Sequence, residues 1–346
     1  MCNIVVLIPS LCPDERLTTL VKSLFSLDFE HIIIIDDGSG DSYENIFREL
    51  YRLGCVVETH EKNLGKGAAL KTGIRKAIEL FGEGNAYITA DGDGQHLPGD
   101  IRKVADALEK NPDSLILGTR RFDTPCVPWK SRLGNRFTSL FFRLTCGFSC
   151  ADTQTGLRGI PNSLEKFALE VEGERYEYEM NFLSDAAGNV EFIPVPIETV
   201  YEDGNRKSHF RPIVDSARVY GRFLRFAGAS LVGALADLSL FYLLFHMIPL
   251  PRTGAVFIAT ALARICSGII NFLLNRYWSF NSRKPVGGQA VRYGILFLCQ
   301  MAASAVLVSL LSWAFLPEMA AKVIVDICLF FASYIIQKNW VFGKGR

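Results

Sequence analysis

Net charge is nearly absent: 37 Lys and Arg stand against 36 Asp and Glu in 346 residues. A formal charge of +1 supplies no global field that would gather nucleic acid. No Cys-x-x-Cys spacing occurs among the nine cysteines, and Cys146 and Cys150 have no histidine nearby, which excludes the common zinc arrangements. An odd number of cysteines scattered over both halves reads as reduced thiols, cytosolic or membrane-embedded. The opening stretch MCNIVVLIPS lacks a basic segment, and its apolar run is too short for a signal peptide. It reads as a buried strand, which leaves the first half of the chain on the cytoplasmic side.

Apolar residues make up 49% of the chain, but unevenly. Residues 1–215 read as a soluble α/β region and residues from about 223 onward as membrane. In the first region strand-like runs at 3–10, 31–39, 55–60, 86–95 and 115–120 alternate with helical patterns at 14–27, 42–53, 65–81 and 98–110. That rhythm predicts a mostly parallel sheet with helices on both faces. Ligands of such sheets bind beyond the carboxyl ends of the strands. The polar clusters fall there: Asp36-Asp37-Gly38-Ser39, Asp91 to Gln95, and Arg120. Past Arg120, helices are expected at 132–147 and 175–188, a polar turn-rich stretch at 152–161, and an edge-type strand with prolines at 189–201. Residues 202–226 are basic and amphipathic and read as a helix at headgroup level.

Four apolar spans follow, at about 226–248, 254–275, 293–316 and 320–337; Lys322 and Asp326 interrupt the fourth. Basic residues cluster before the first span, between the second and third, and at the end. The positive-inside rule then places both termini in the cytoplasm, the expectation for a multi-pass inner-membrane protein. NFLLNRYWSF (271–280) parallels SYIIQKNWVF (333–342), and Arg225 and Arg292 open the two halves. Two spans per half make this a parallel repeat. Asp237, Arg264 and Asp326 lie within spans; Arg264 is expected to pair with Asp237 or Asp326, or to meet a lipid phosphate.

The stretch ADGDGQH (90–96) puts Asp91, Asp93 and the Gln95 carbonyl on one turn behind an apolar strand. Two carboxylates so close repel each other, and a divalent cation removes that cost. Hard oxygen donors suit Mg²⁺ or Mn²⁺ carrying substrate phosphates.

Six motifs in order carry a resemblance: IPSLCPDE (8–15), IIDDGSGD (34–41), NLGKGAALKTG (63–73), ADGDGQHLPGD (90–100), LGTRR (117–121) and DTQTGLR (152–158). Over about 1–215 the chain resembles the family 2 glycosyltransferases of the GT-A fold, most of all the polyprenyl-phosphate hexosyltransferases such as the dolichol-phosphate mannose synthases. Residues 223–342 resemble the GtrA-like membrane domain. The resemblance implies a Rossmann-like GT-A catalytic domain at 1–205, an interfacial amphipathic linker helix at 206–224, and an all-α four-span transmembrane domain at 225–346. One departure is visible: the first motif reads P-S-L-C-P-D-E where the family has P-x-Y-N-E, so the Tyr-Asn contacts are not carried over.

What the resemblance implies for single residues is as follows. Pro9 and Glu15 line the nucleotide pocket, and Asp37 contacts the base or ribose. Asp91, Asp93 and Gln95 hold the metal on the donor diphosphate. Lys66, Arg120, Arg132 and Arg206 are the cations that stabilise a departing diphosphate. Asp152 orients sugar or acceptor, and Arg132 is placed to hold the acceptor phosphate. The expected donor is a nucleotide-sugar of the GDP-mannose or UDP-glucose class. The expected acceptor is a polyprenyl phosphate, since a soluble acceptor needs no anchor of four spans. A phosphate monoester has a second pKa of about 6 and attacks without a catalytic base. Direct attack inverts the anomeric carbon. No Q-x-x-R-W string follows the metal motif, which argues against the processive synthases. The membrane half could add lipid-linked-sugar translocation, serve only as an anchor, or assemble the chain as a homo-oligomer.

Overall fold

In the sequence IVVLIPS the first five residues are branched aliphatics, and both faces of the strand it forms are covered. This strand, β1 (Ile4–Ser10), lies inside a seven-stranded sheet, third from one edge, in a computed structural model that describes residues 3–120, 136, 138–140, 142–143, 152–153, 155–198, 220–314 and 317–343. The chain divides into two units, 1–219 and 220–346.

The first unit alternates strands and helices to α4: α1 (Glu15–Phe25), β2 (His31–Asp36), α2 (Glu44–Arg52), β3 (Val56–Thr59), α3 (Lys66–Phe81), β4 (Ala86–Thr89) and α4 (Pro98–Lys110). Then come β5 (Leu115–Arg120), β6 (Arg158–Ile160), α5 (Glu165–Glu170), α6 (Glu177–Ala186) and β7 (Phe192–Ile197). The sheet order is β3-β2-β1-β4-β6-β5-β7. All pairings are parallel except those of β6, which runs antiparallel between β4 and β5. The mostly parallel, Rossmann-like GT-A architecture is thus present. One detail differs from the sequence reading: the stretch 152–161, expected as a polar turn-rich segment, contains a strand, β6, which separates β4 from β5. Three residues, Arg-Gly-Ile, give no periodicity to read; backbone pairing to Thr89 and Leu117 makes the strand. β7 is an edge strand, where Pro194 and Pro196 cost no ladder bond on the open side.

Residues alternate across the sheet into two cores. Ile32 and Ile34 join Leu17, Leu24, Leu50, Val104 and Leu108 from α1, α2 and α4. Ile33 and Ile35 join Leu70, Ile74, Tyr178, Phe182 and Leu183 from α3 and α6. Of the helix expected at 132–147, residues 136, 138–140, 142 and 143 are described and helical, and Phe142 is buried on the second face. The chain leaves β1 toward β2 and β3, then returns to place β4 on the other side of β1. That reversal opens a crevice at the carboxyl ends of β1 and β4.

The second unit has α7 (Gly221–Met247), α8 (Arg252–Leu274), α9 (Val286–Ala314) and α10 (Glu318–Ile336). α8 and α10 each run on into a π-helical turn, Asn275–Ser279 and Gln337–Val341. The four apolar segments are 24 to 28 residues long, about 36 Å or more at 1.5 Å per residue, enough to cross a bilayer. Of the interfacial linker expected at 206–224, residues 206–219 lie outside the described residues, and 221–224 form the first turn of α7.

The repeat in sequence is a repeat in structure. Phe280 N–H donates to Asn275 C=O at 2.9 Å, and Phe342 N–H to Gln337 C=O at 2.8 Å, closing the two π turns alike. Phe226 meets Tyr334 edge-on, and their counterparts Tyr293 and Phe272 meet at a similar tilt, 5.2 and 5.3 Å between centroids. Phe280 and Phe342 stack on each other at 5.1 Å, at the point where the halves meet. Bulk is exchanged between the halves. Asn271 lies so close to Gly233 that a Cβ there would sit 2.9 Å from Nδ2. In the second half the amide is on the other helix: Ser333 Oγ donates to Gln300 Oε1 at 3.3 Å. Arg264 Nε lies 3.6 Å from Asp237 Oδ2, so of the partners expected for it the structure selects Asp237. Asp326 is paired instead with Lys322 at 2.8 Å, one turn away on the same helix.

Candidate functional site

The rim of the crevice is tied together before any ligand enters. Asp37 N–H donates to Ser10 C=O, joining the ends of β1 and β2. The buried Asp37 carboxylate accepts from Leu64 N at 2.9 Å and Gly65 N at 2.8 Å, and lies 2.8 Å from His60 Nδ1. It therefore pins the loop that starts α3. Asp36 Oδ1 accepts from Ser39 N, and Ser39 Oγ accepts from Cys12 N. Pro9 is half-buried on β1, and Glu15 is exposed in the first turn of α1, just after the N-cap Asp14.

Asp91 sits just past the end of β4, and the side chains of Lys66 and His96 converge on it. Lys66, the first residue of α3, places Nζ 2.6 Å from Asp91 Oδ1 and 2.9 Å from Glu179 Oε1 on α6. His96 accepts the Asp91 N–H at Nδ1 (3.1 Å), which leaves its proton on Nε2, 4.0 Å from Asp91 Oδ2. On that side the chain also passes at Gly156: a Cβ there would lie 2.3 Å from Asp91 Oδ2. Thr89 Oγ1 donates to Gly156 C=O at 2.7 Å and fixes this approach.

Burial alone would raise the Asp91 pKa, but the Lys66 ammonium more than offsets it and holds the carboxyl at about 2. Burial works against the Lys66 ammonium too, and the two carboxylates overcome it, so its pKa is raised. Burial lowers the pKa of His96 and keeps it neutral. Asp93 moves the other way: loss of water and then the neighbouring Asp91 charge raise its pKa, although Gln95 N–H donates to its Oδ1 at 3.0 Å. Asp91, Asp93 and Glu179 against Lys66 leave two negative charges in excess at the mouth of β4. That excess, built from oxygen donors, is the chemistry a divalent cation satisfies. Asp91, Asp93 and Gln95 fit it as a donor set, although among the described residues no three His, Cys, Asp or Glu side chains already converge as a metal cage.

Arg120, at the end of β5, forms a forked pair with Asp152: Nε to Oδ2 at 2.7 Å and a terminal nitrogen to Oδ1 at 2.9 Å. Asp152 is fully buried. These two residues, read separately from the sequence, form one unit in which the acid aims the guanidinium. Arg132 and Arg206 lie outside the described residues. Sequence reasoning missed Glu179, Gly156 and the task of His96. His96 stands inside ADGDGQH and Gly156 inside DTQTG, so both were within quoted motifs; Glu179 carries no local signal among the acids of its helix.

The family model "Glycosyl transferase family 2" matches residues 5–163, and "GtrA/DPMS, transmembrane domain" matches residues 225–342. The chain is 30% identical over 219 residues to UDP-N-acetylglucosamine–dolichyl-phosphate N-acetylglucosaminyltransferase of Methanococcus voltae, a match covering 58% of this chain and 86% of that one. It is 26% identical over 206 residues to polyprenol monophosphomannose synthase of Mycolicibacterium smegmatis, covering 56% and 75%. Among solved structures, mannosyl-3-phosphoglycerate synthase from Rubrobacter xylanophilus is similar with a TM-score of 0.49 at 16% identity, over 66% of this chain and 75% of that one.

Proposed function

The chain belongs to glycosyl transferase family 2 and is an integral membrane glycosyltransferase, and from that premise we propose that it moves a hexose from a nucleotide-sugar to a polyprenyl phosphate. The observation that carries the reading is the excess of carboxylate at the switch-point crevice, in a chain that also has four membrane-length helices. Relatives whose names contain dolichyl-phosphate and polyprenol monophosphomannose support the acceptor class.

In the proposed reaction a phosphate oxygen of the acceptor attacks the anomeric carbon. The bond from that carbon to the donor diphosphate breaks, its electron pair leaves with the nucleoside diphosphate, and the configuration inverts. The acceptor dianion needs no base. Asp91, Asp93 and Gln95 would hold Mg²⁺ or Mn²⁺, which when bound supplies Lewis-acid charge to the diphosphate. Pro9 and Glu15 flank the nucleotide. Asp37 acts by holding the 63–65 loop against it. Arg120, aimed by Asp152, is a preorganised cation for the developing negative charge. We assign Arg132 and Arg206 the same task toward the acceptor and donor phosphates. Basic residues at Arg225, Arg276, Lys284, Arg292 and Lys338 support catalysis on the cytoplasmic leaflet.

Membranes containing the protein are incubated with labelled GDP-mannose, UDP-glucose or UDP-N-acetylglucosamine, with Mg²⁺ or EDTA. Label is expected in an organic-soluble, mild-acid-labile fraction with one donor, in Mg²⁺ only. Asp93→Ala is expected to lose at least about 100-fold of the rate; turnover retained by that variant contradicts the metal assignment.

A further inference from the structure

Lys66 stands where a helix gains nothing from it. It is the first residue of α3, whose first turn carries no acid, so its charge opposes the positive end of the helix dipole. It is also largely buried. What holds it there is the pair of carboxylates, Asp91 at 2.6 Å and Glu179 at 2.9 Å. The two oxygens of Asp91 differ in what else surrounds them. Asp91 Oδ2 is walled in by the Gly156 backbone and faced by His96. Asp91 Oδ1 has the ammonium on it, and this is the oxygen left for any other cation. An ammonium and a divalent cation on one oxygen repel each other even at the higher effective dielectric of a partly wet site, so the two compete for Asp91 Oδ1.

The backbone under Lys66 does not yield. Asp37 holds Leu64 N and Gly65 N, and Gly67 is flush against Tyr178, where a Cβ would lie 2.4 Å from the Tyr178 Cβ. A four-carbon stem on a fixed base is the part that moves. Glu179 gives the ammonium a second partner, so leaving Asp91 does not strand a buried charge.

We propose that Lys66 is the resident counter-ion of Asp91 in the unloaded site, that it yields Asp91 Oδ1 to an entering divalent cation, and that it pivots on Glu179 toward the donor's diphosphate. This rests on the metal reading above and assigns Lys66 and Glu179 a joint positioning role. The site then keeps its charge balanced at each stage, and the ammonium becomes available to phosphate only once a cation is in place.

The experiment uses the full chain in detergent and two measurements. Mn²⁺ binding is followed by electron paramagnetic resonance for the wild type, Lys66→Met and Asp93→Ala. Acetylation of Lys66 is followed by mass spectrometry without metal, with Mg²⁺, and with Mg²⁺ plus GDP or UDP. Lys66→Met is expected to bind Mn²⁺ about tenfold more tightly than the wild type. Lys66 acetylation is expected to rise at least threefold on adding Mg²⁺ and to fall again with the nucleotide that binds. A static ion pair would leave acetylation unmoved by Mg²⁺. If Mn²⁺ binding is lost in Asp93→Ala yet acetylation is unchanged, the metal reading stands and the counter-ion role is refuted. If no variant and no wild-type sample binds Mn²⁺, both fall together.

Discussion

Replacing Gly156 by alanine adds one methyl group at the most crowded contact of the crevice. The new Cβ would stand 2.3 Å from Asp91 Oδ2 and 2.8 Å from its Cγ, whereas non-bonded carbon contacts are comfortable at about 3.5 Å. One side must give by about 1 Å. The glycine side is held by the Thr89 hydroxyl on its carbonyl and by the pairing of Arg158 with Thr89 two residues on. The carboxylate side is a single side chain, so Asp91 moves and its contacts with Lys66 and His96 lengthen. A 1 Å misplacement of a positioned group costs on the order of 100-fold in rate, while overpacking costs about 1–3 kcal/mol of stability. The assay is transfer of labelled sugar to polyprenyl phosphate, with thermal unfolding measured on the same sample. Gly99→Ala serves as the control, because nothing lies within 4 Å of a Cβ at that helical position. A Gly156→Ala enzyme that keeps its rate within threefold of the wild type would refute the claim that Asp91 must stay where the glycine lets it stand.

Other expectations follow from the same contacts. Asp37→Ala should destabilise the first unit by about 2 kcal/mol or more, since two loop N–H groups lose a charged acceptor; an unchanged melting curve with only weaker donor binding would reverse the loop-anchor reading. Burial pushes the Cys55 thiol up to about 12 from 9.0, so at pH 8 iodoacetamide should label the exposed Cys12 and spare Cys55 until the chain unfolds. The same shift has a sign for stability: above pH 9 the unfolded thiol ionises and the folded one does not, so stability should fall between about pH 9 and 12, and Cys55→Ala should flatten that slope. Phe280→Ala and Phe342→Ala should each lower stability in detergent by about 3 kcal/mol or more. Their double-mutant cycle should show a coupling of about 0.5–1.5 kcal/mol, because the rings stack on each other.

How much of this is legible in the sequence depends on where the determining contacts lie. The runs HIIIID and AYIT are buried on both sides, and such runs announce parallel strands without reference to anything distant. The four spans are equally local, being a matter of length and hydropathy. β6 is invisible in sequence, because its three residues are a strand only by virtue of the partners on either side. Asp37 shows the limit of motif reading: its place after β2 points toward a nucleotide, but the fold has brought the 63–65 loop onto its oxygens. Glu179 sits more than a hundred residues from Lys66 and becomes its neighbour only because α3 packs closely on α6 at Gly67 and Tyr178. In the membrane unit the Trp-x-Phe signature could be read twice, while the five-residue closure at each copy could not, since no residue type marks it.

A symmetric pair of identical chains must put the same residue on both sides of its axis, so a change that suits one side is imposed on the other. Fusion lifts that obligation. With Arg225 set on Arg292, and Asn271 on Ser333, the acid Asp237 answers to a serine, Ser304, and the base Arg264 to an acid, Asp326. Ser304 and Lys322 then complete at the second location what Asp237 and Arg264 make at the first. Two copies tethered in one chain can differ in the sign of a matched charge while keeping the same shape.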